Sequence, residues 1–252
     1  MLRGVLISVV VLSVFGSVAS ATPIDPETLP ADPVAYYPFS GGANDASGNG
    51  HDGIVIGPTL TTDRFSNPNS AYSFDGESWI EVGPPEFTTE VTFAAWARYT
   101  GNGGFVLNKG AFLIPESYSI SVHPSGNPQV RVHVAGTEYI VLSDEAIPPG
   151  IWSHLMGVYS GATGLTLYVN GEDKGHIAVS GTLDQNNELL TFGADLGNPG
   201  SFWEGDIDEV RLYDYAILPF PIPTVSTWGV VIMLGLVIVA GTIVFRRVKV
   251  AT

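Results

Sequence analysis

The stretch from Val34 to Tyr213 limits the possible folds most, because it consists of many short apolar segments separated by turn-forming residues. The segments run about 5–9 residues and are interrupted by Gly, Asn, Asp and Pro. Apolar residues in this stretch do not recur at the 3.6-residue period of an amphipathic helix. Many short strands with turn signals and no helix predict a sandwich or a barrel. The 30 glycines of the chain agree with that prediction.

The strands can be placed from their apolar and aromatic residues and from the turn residues between them. They are predicted at Val34–Phe39, Gly53–Ile56, Ala71–Phe74, Trp79–Val82, Val91–Tyr99, Gly104–Asn108, Tyr118–His123, Gln129–Val134, Thr137–Leu142, Trp152–Tyr159, Leu165–Val169, His176–Val179, Leu189–Phe192 and Gly205–Tyr213. Strict alternation in Leu165–Val169 turns Leu165, Leu167 and Val169 towards the core. Asn170-Gly171 and Asp75-Gly76 predict tight hairpin turns, because both residue types in each pair tolerate positive φ. Gly101–Gly104 is a third predicted hairpin turn.

The first 32 residues are predicted to lie outside the folded domain. Arg3, an apolar run from Val5 to Phe15, and the small residues Ala19-Ser20-Ala21 have the layout of a secretory signal peptide over residues 1–21. Residues 22–32 are rich in proline and acidic residues, which predicts an extended linker.

The C-terminal end carries a second apolar run. Trp228–Phe245 is 18 residues without a charge, and Arg246, Arg247 and Lys249 follow it. A helix of this length spans about 27 Å at about 1.5 Å per residue, close to the thickness of a hydrocarbon core. This predicts a transmembrane helix over residues 230–245 and a basic cytoplasmic tail over residues 246–252, with the rest of the chain outside the cell.

The charge of the central body excludes one class of partner. The body carries all 25 acidic residues but only six of the ten basic ones, so its net charge is −19. Such a surface repels nucleic acid and anionic headgroups. The chain has no cysteine, so an exported domain must be held by its core, by a metal ion, or by both.

Four segments, taken together, resemble one domain type. They are Val34–Gly53, Ser70–Gly76, Trp152–Gly171 and Phe202–Tyr213, and their order along the chain matches. The set resembles the laminin-G-like, concanavalin A-like jelly roll modules of secreted bacterial proteins, over residues 33–217. The resemblance implies an all-β, antiparallel two-sheet sandwich. It does not imply a ligand, because the superfamily includes lectins, adhesion modules, enzymes and spacers.

The tail has a resemblance of its own. Residues 222–229, Ile-Pro-Thr-Val-Ser-Thr-Trp-Gly, precede the apolar span and the basic end. This layout resembles a C-terminal sorting signal of the IPTL type. The resemblance implies cleavage by a membrane protease, and surface display or release of the body.

A calcium site is predicted around Asp208. Strand parity places Asp206 and Asp208 on the same face as Val210 and Leu212, and a carboxylate that points into a core is costly unless it is paired. In related jelly rolls an acidic residue at this place joins loop oxygens around a structural Ca²⁺, and Asp45 and Asp75 are the candidate partners. The alternative is that Asp208 caps a turn or pairs with Arg211 or Arg64.

The same strand also permits an enzymatic interpretation. Glu204, Asp206 and Asp208 share one face of a strand, and the spacing of Glu204, Asp206 and Glu209 resembles the Glu-x-Asp-x-x-Glu of retaining glycosidases of this fold. Glu209 needs a β-bulge to join that face. Gly205 stands where those enzymes have an apolar residue.

Aromatic side chains are the natural platforms for sugar rings. Trp79, Tyr118, Tyr139 and Trp203 are the candidate carbohydrate-binding residues, and Trp96 and Trp152 are expected in the core. The sequence therefore predicts a non-catalytic, surface-displayed binding or adhesion module for carbohydrate or glycosylated surfaces. A glycoside hydrolase and a purely structural envelope protein are the alternatives.

Overall fold

β-Strands account for most of the regular structure. The computed structural model describes residues 23–219, apart from residues 84, 112, 113 and 199. Over these residues the chain forms one 3-10 turn, Pro26–Thr28, and fifteen strands. The strands are β1 (Ala35–Tyr37), β2 (Gly53–Ile56), β3 (Thr59–Thr61), β4 (Ala71–Asp75), β5 (Trp79–Val82), β6 (Glu90–Tyr99), β7 (Gly104–Ala111), β8 (Ile114–Val122), β9 (Pro128–Val134), β10 (Thr137–Leu142), β11 (Trp152–Ser160), β12 (Gly164–Val169), β13 (Glu172–Ile177), β14 (Leu190–Phe192) and β15 (Glu204–Tyr213).

The strands form two sheets with antiparallel pairing. Sheet A has the order β13-β12-β11-β6-β15-β4-β3, and β1 also pairs with β15. Sheet B has the order β10-β9-β8-β7-β14-β5-β2. Two antiparallel sheets packed face to face confirm the predicted all-β sandwich.

The core lies between the two sheets and is built from alternate residues of each strand. In β9 the core-facing residues are Val130, Val132 and Val134, and in β12 they are Leu165, Leu167 and Val169. Each of these side chains is at most 6% exposed. The alternation follows from the two-residue period of a strand, which sends every second side chain into the same layer.

One of the three predicted hairpins is confirmed. β12 and β13 are joined by Asn170 and Gly171, and Val169 pairs with Glu172 across the turn. Asn170 has φ 50° and Gly171 has φ 80°. Two consecutive positive φ values are what a tight hairpin turn with right-handed twist requires.

The other two predicted hairpins are wrong. The strands on either side of Asp75-Gly76, β4 and β5, belong to different sheets, and so do β6 and β7 on either side of Gly101–Gly104. These turns carry the chain across the sandwich. The residue types of a turn do not reveal this, because glycine serves a crossing connection as well as a hairpin.

A β-bulge in β15 changes which residues face the core. The register with β6 shifts between Asp208 and Arg211, and Glu209 has φ 52°. Ile207 precedes the bulge and Val210 follows it, and both lie in the core. Since a bulge adds one residue to the strand, it reverses the parity beyond it. The prediction that Asp208 faces the core together with Val210 is therefore wrong, and Asp208 lies on the outer face of sheet A.

The segment predicted to be a linker packs against sheet A. Ile24 and Leu29 contact an apolar patch on its outer face, formed by Ala94, Met156, Val158 and Tyr168. The backbone N–H of Ile24 donates to the carbonyl of Gly171 at 2.9 Å. Residues 23–219 accordingly form one compact unit that includes most of this segment.

Four sequence predictions concern residues outside the described part of the chain. They are the signal peptide at 1–21, the sorting motif at 222–229, the membrane helix at 230–245 and the basic tail at 246–252. Within the described ranges, no helix is long and apolar enough to cross a membrane.

Candidate functional site

An open groove of about 580 Å³ lies on the outer face of sheet A. It lies along strands β3, β4, β15 and β6, which are neighbours in the sheet. Its polar lining consists of Thr61, Ser73, Asp75, Arg98, Thr100, Glu204 and Asp206. The volume falls within the range of about 300–1,000 Å³ that is typical of small-molecule sites.

Strand register brings these side chains together. Asp206 in β15 pairs with Arg98 in β6 on one side and with Ser73 in β4 on the other. One step along the sheet, Glu204 pairs with Asp75. Since directly opposed residues point to the same face, this part of the sheet presents a polar row to solvent.

The charges in the groove are only partly balanced. The guanidinium of Arg98 donates to the Asp206 carboxylate, with Nε and Nη2 each 2.5 Å from Oδ2. The Glu204 carboxylate accepts a hydrogen bond from the amide of Asn102. With Asp75, the groove holds three carboxylates and one guanidinium, so its net charge is −2. It offers strong acceptors, together with hydroxyl and guanidinium donors.

Trp152 lies beside the groove and not in the core. It is half-buried and pairs with Arg98 across β11 and β6. The Arg98 guanidinium lies 5.2 Å from the centre of its ring. The prediction that Trp152 and Trp96 are core residues is wrong, because both project from the outer face of sheet A, where Trp96 pairs with Asp208 and His154.

Asp208, the predicted calcium anchor, is 2% exposed and paired with a cation of the protein. Its Oδ2 lies 3.2 Å from Nη1 of Arg64, and its Oδ1 accepts the backbone N–H of Glu209 at 2.7 Å. Burial raises the pKa of Asp208 to about 7, and the charge of Arg64 opposes this shift only in part. The ion pair with Arg64 is the alternative that the sequence left open.

The other two predicted calcium ligands lie elsewhere. Asp45 accepts backbone hydrogen bonds from Tyr36, Ser47 and His51 at 3.0, 2.9 and 3.1 Å, so its carboxylate holds the loop after β1. Asp75 is exposed and lines the groove. Within the described residues, no three His, Cys, Asp or Glu side chains gather as a metal-binding group.

The four predicted aromatic platforms have different surroundings. Trp203 and Tyr118 are 0% and 1% exposed and pack in the core, so a sugar that approaches from solvent does not reach their rings. Tyr139 is half-buried and packs against the same core. Trp79 is half-buried on the outer face of sheet B, where its Nε1 donates to Glu81 at 2.9 Å. Phe74 also lines the groove but packs in the core, so Trp152 is the half-buried aromatic residue beside it. Its place at the start of a strand after Pro148–Gly150 was the available signal.

The family follows from a sequence match that covers most of the sandwich. A family model described as "Concanavalin A-like lectin/glucanases superfamily" matches residues 74–220. The chain belongs to this superfamily. The two sheets and the strand order described above agree with that membership.

Solved structures show the same concanavalin A-like fold at low sequence identity. The binding domain of Paraclostridial Mosquitocidal Protein 1 superposes with a TM-score of 0.62 at 20% identity, over 75% of this chain and 50% of that one. Domain 4 of AbnA, an extracellular arabinanase from Geobacillus stearothermophilus, was solved with arabinotriose. It superposes with a TM-score of 0.61 at 20% identity, over 75% of this chain and 95% of that one. The botulinum neurotoxin serotype G binding domain superposes with a TM-score of 0.58 at 11% identity, over 74% of this chain and 49% of that one.

The chain spans about half the length of the two toxin binding domains it resembles. No curated protein matches it by sequence.

The three carboxylates of the glycosidase-like pattern, Glu204, Asp206 and Glu209, all lie in β15. The bulge turns Glu209 outward, but Glu209 accepts the hydroxyl of Tyr36 at 2.9 Å and lies 2.6 Å from Arg211. Asp206 is bound to Arg98. Two of the three carboxylates of the glycosidase-like pattern therefore belong to ion pairs of the protein itself.

Proposed function

We propose that this chain is a non-catalytic carbohydrate-binding module and that its ligand lies in the groove of sheet A. One observation carries the proposal: an open groove that combines carboxylate acceptors with hydroxyl and guanidinium donors lies beside Trp152. Sugar hydroxyls both donate and accept hydrogen bonds, so they match a mixed lining of this kind. The superfamily description, the two neighbours named as binding domains and the neighbour solved with arabinotriose agree with it.

We assign different roles to the groove residues. Glu204 and Asp75 accept from sugar hydroxyls, Arg98 donates to a ring or hydroxyl oxygen, and Trp152 offers its apolar face to a sugar ring. The groove's net charge of −2 and the body's net charge of −19 favour a neutral glycan over an anionic one.

The cellular location of the protein is part of the same proposal. The layout of residues 1–21 supports export, and the apolar run before Arg246 supports a membrane anchor or a sorting signal. The partners are then a glycan or glycoprotein surface, a membrane and a membrane sorting protease. Intact-mass measurement of protein isolated from its native source reads both ends: loss of residues 1–21 supports export, and a truncation near residues 222–229 supports sorting cleavage.

A glycan array with the purified full-length chain tests the binding function. We expect binding to a restricted set of neutral glycans and no release of reducing ends. Glu204→Gln is expected to weaken binding at least tenfold, while Glu172→Gln, the same substitution at an exposed site on β13, leaves it unchanged.

Two array outcomes would contradict the proposal. Release of reducing ends that disappears in Glu204→Gln would establish a glycoside hydrolase. The absence of binding to every glycan would favour a structural component.

A further inference from the structure

A second polar cluster lies on the outer face of sheet B, away from the groove. Asn108 in β7 pairs with Ser119 in β8, and Ser119 pairs with Arg131 in β9. The Ser119 hydroxyl donates to Oε2 of Glu116 at 2.7 Å. Asp195, in the loop after β14, accepts from the amide of Asn108 at 3.2 Å. Strand register and one loop thus bring these side chains together.

The acidic groups of this cluster are buried with less positive charge than they need. Glu116 is 9% exposed and Asp195 is 4% exposed, and burial raises the pKa of both side chains. Arg131 Nη1 lies 3.5 Å from Oε1 of Glu116 and 3.6 Å from Oε1 of Glu138. Glu138 lies at the exposed edge of the cluster, so the two buried carboxylates share one guanidinium and leave a net charge of −1. Charge of this kind is costly to hold in a region that water does not reach.

An unpaired oxygen is the second, independent observation. The Asn108 side chain is fully buried, and its Nδ2 donates to Asp195 and to the carbonyl of Gly110. Oδ1 of the same carboxamide is buried and accepts no hydrogen bond. Buried polar atoms almost always have a partner, so an unpaired acceptor on a carboxamide whose other end binds Asp195 points to a bound group that supplies positive charge.

We propose that a divalent cation of the calcium class binds here, held by the carboxylates of Glu116 and Asp195 and by Oδ1 of Asn108. Hard cations of this class take six to eight oxygen ligands, from carboxylates, amide oxygens, hydroxyls and water. Two positive charges balance the net charge once the exposed Glu138 is counted with Glu116, Asp195 and Arg131. The cation ties the loop that carries Asp195 to β7 and β8, and it does not involve Asp45, Asp75 or Asp208.

Calcium titration of the full-length chain by calorimetry, together with melting in calcium and in chelator, tests the site. We expect calcium to bind and to raise the melting temperature, because a ligand that binds only the folded state stabilises it. Glu116→Gln and Asp195→Asn are each expected to weaken calcium binding at least tenfold. Asp208→Asn and Asp75→Asn are matched controls, with the same kind of change at the residues named from the sequence.

Asn108→Asp separates a cation ligand from a merely structural residue. If Oδ1 binds a cation, the added carboxylate tightens calcium binding, although it destabilises the calcium-free protein. If no cation binds there, Asn108→Asp destabilises the protein equally in calcium and in chelator, and the proposal fails.

Two further results would overturn the proposal. Wild-type protein that neither binds calcium nor melts differently in chelator has no such site. Calcium binding that is lost in Asp208→Asn and kept in Glu116→Gln places the cation at the sequence-predicted position instead. Neither result bears on glycan binding, which is measured separately in the groove.

Discussion

Arg64 holds Asp208 on the outer face of sheet A, with Nη1 3.2 Å from the Oδ2 of the carboxylate. The same guanidinium lies 4.6 Å from the centre of the Trp96 ring and 2.9 Å from the Glu27 carboxylate. Glu27 belongs to the N-terminal segment that packs on this face. One side chain therefore links the segment, an exposed loop and the last strand.

Asp208 is expected to make the protein less stable as the pH rises towards neutrality. Its pKa in the folded state, about 7, lies above the value of about 3.9 for an unperturbed Asp, so the folded state binds the proton more tightly. The stability contributed by protonated Asp208 is fully present below its pKa in the unfolded state. It is lost as the pH rises through its pKa in the folded state. Urea unfolding from pH 4.5 to 7.5 should show a decline of a few kcal/mol for wild type relative to Asp208→Asn, at about 1.4 kcal/mol per pKa unit. Parallel curves for the two proteins would refute this.

His154 is expected to have the opposite effect, at lower pH. It is 2% exposed, and burial, together with the charges of Arg211 and Arg64, lowers its pKa to about 3. The unfolded state then binds the proton more tightly, so stability is complete above pH about 6.5 and falls as the pH drops below it. His154→Leu removes this loss, and its free energy of unfolding should vary less between pH 6.5 and 4 than that of wild type. The idea fails if the two slopes agree.

Removing Arg64 is expected to cost more at high pH than at low pH. Arg64→Met leaves the buried Asp208 carboxylate without its cation, and breaking a buried pair costs about 3–5 kcal/mol when the remaining charge stays ionised. At pH 5 the carboxyl is neutral, so the cost should shrink. Adding Asp208→Asn should recover part of the loss at pH 8. A cost that is independent of pH would mean that Arg64 acts through packing on Trp96 alone.

Trp203 is expected to act as a core residue. Its side chain is fully buried, so Trp203→Ala should lower the free energy of unfolding by about 3–5 kcal/mol. Trp79→Ala, at a half-buried position on sheet B, should cost less and serves as the matched control. Urea unfolding measures both. Unchanged stability in Trp203→Ala together with lost glycan binding would return Trp203 to the role first predicted from the sequence.

The strands themselves were largely predictable, because local alternation and turn residues specify them. Gly53–Ile56, Trp79–Val82 and Thr137–Leu142 have the bounds that the sequence predicted, and the Asn170-Gly171 turn is confirmed. The three-residue strand β3 was missed, since Thr59–Thr61 is too short to show a pattern. Local rules specify where strands form but not which sheet the next strand joins, as the two wrong hairpins show.

The location of the groove depended on information that local rules do not carry. The bulge at Glu209 reverses which residues of β15 face the core, and no residue before it in the sequence predicts this reversal. The partners of Asp206, which are Arg98 and Ser73, come from strands that are distant in sequence. Trp152 was assigned to the core because strand parity alone does not say which sheet face is covered.

The most direct test of the claim that the groove binds a glycan is calorimetry of four full-length proteins. These are wild type, Glu204→Gln, Trp152→Ala and the control Glu172→Gln. The ligand is the glycan that binds most tightly on the array. If the groove binds the glycan, Glu204→Gln and Trp152→Ala each weaken binding at least tenfold, while the control matches wild type and all four keep the same melting temperature. Equal affinity in all four folded proteins would show that the glycan binds elsewhere, and the groove of sheet A would lose its assigned function.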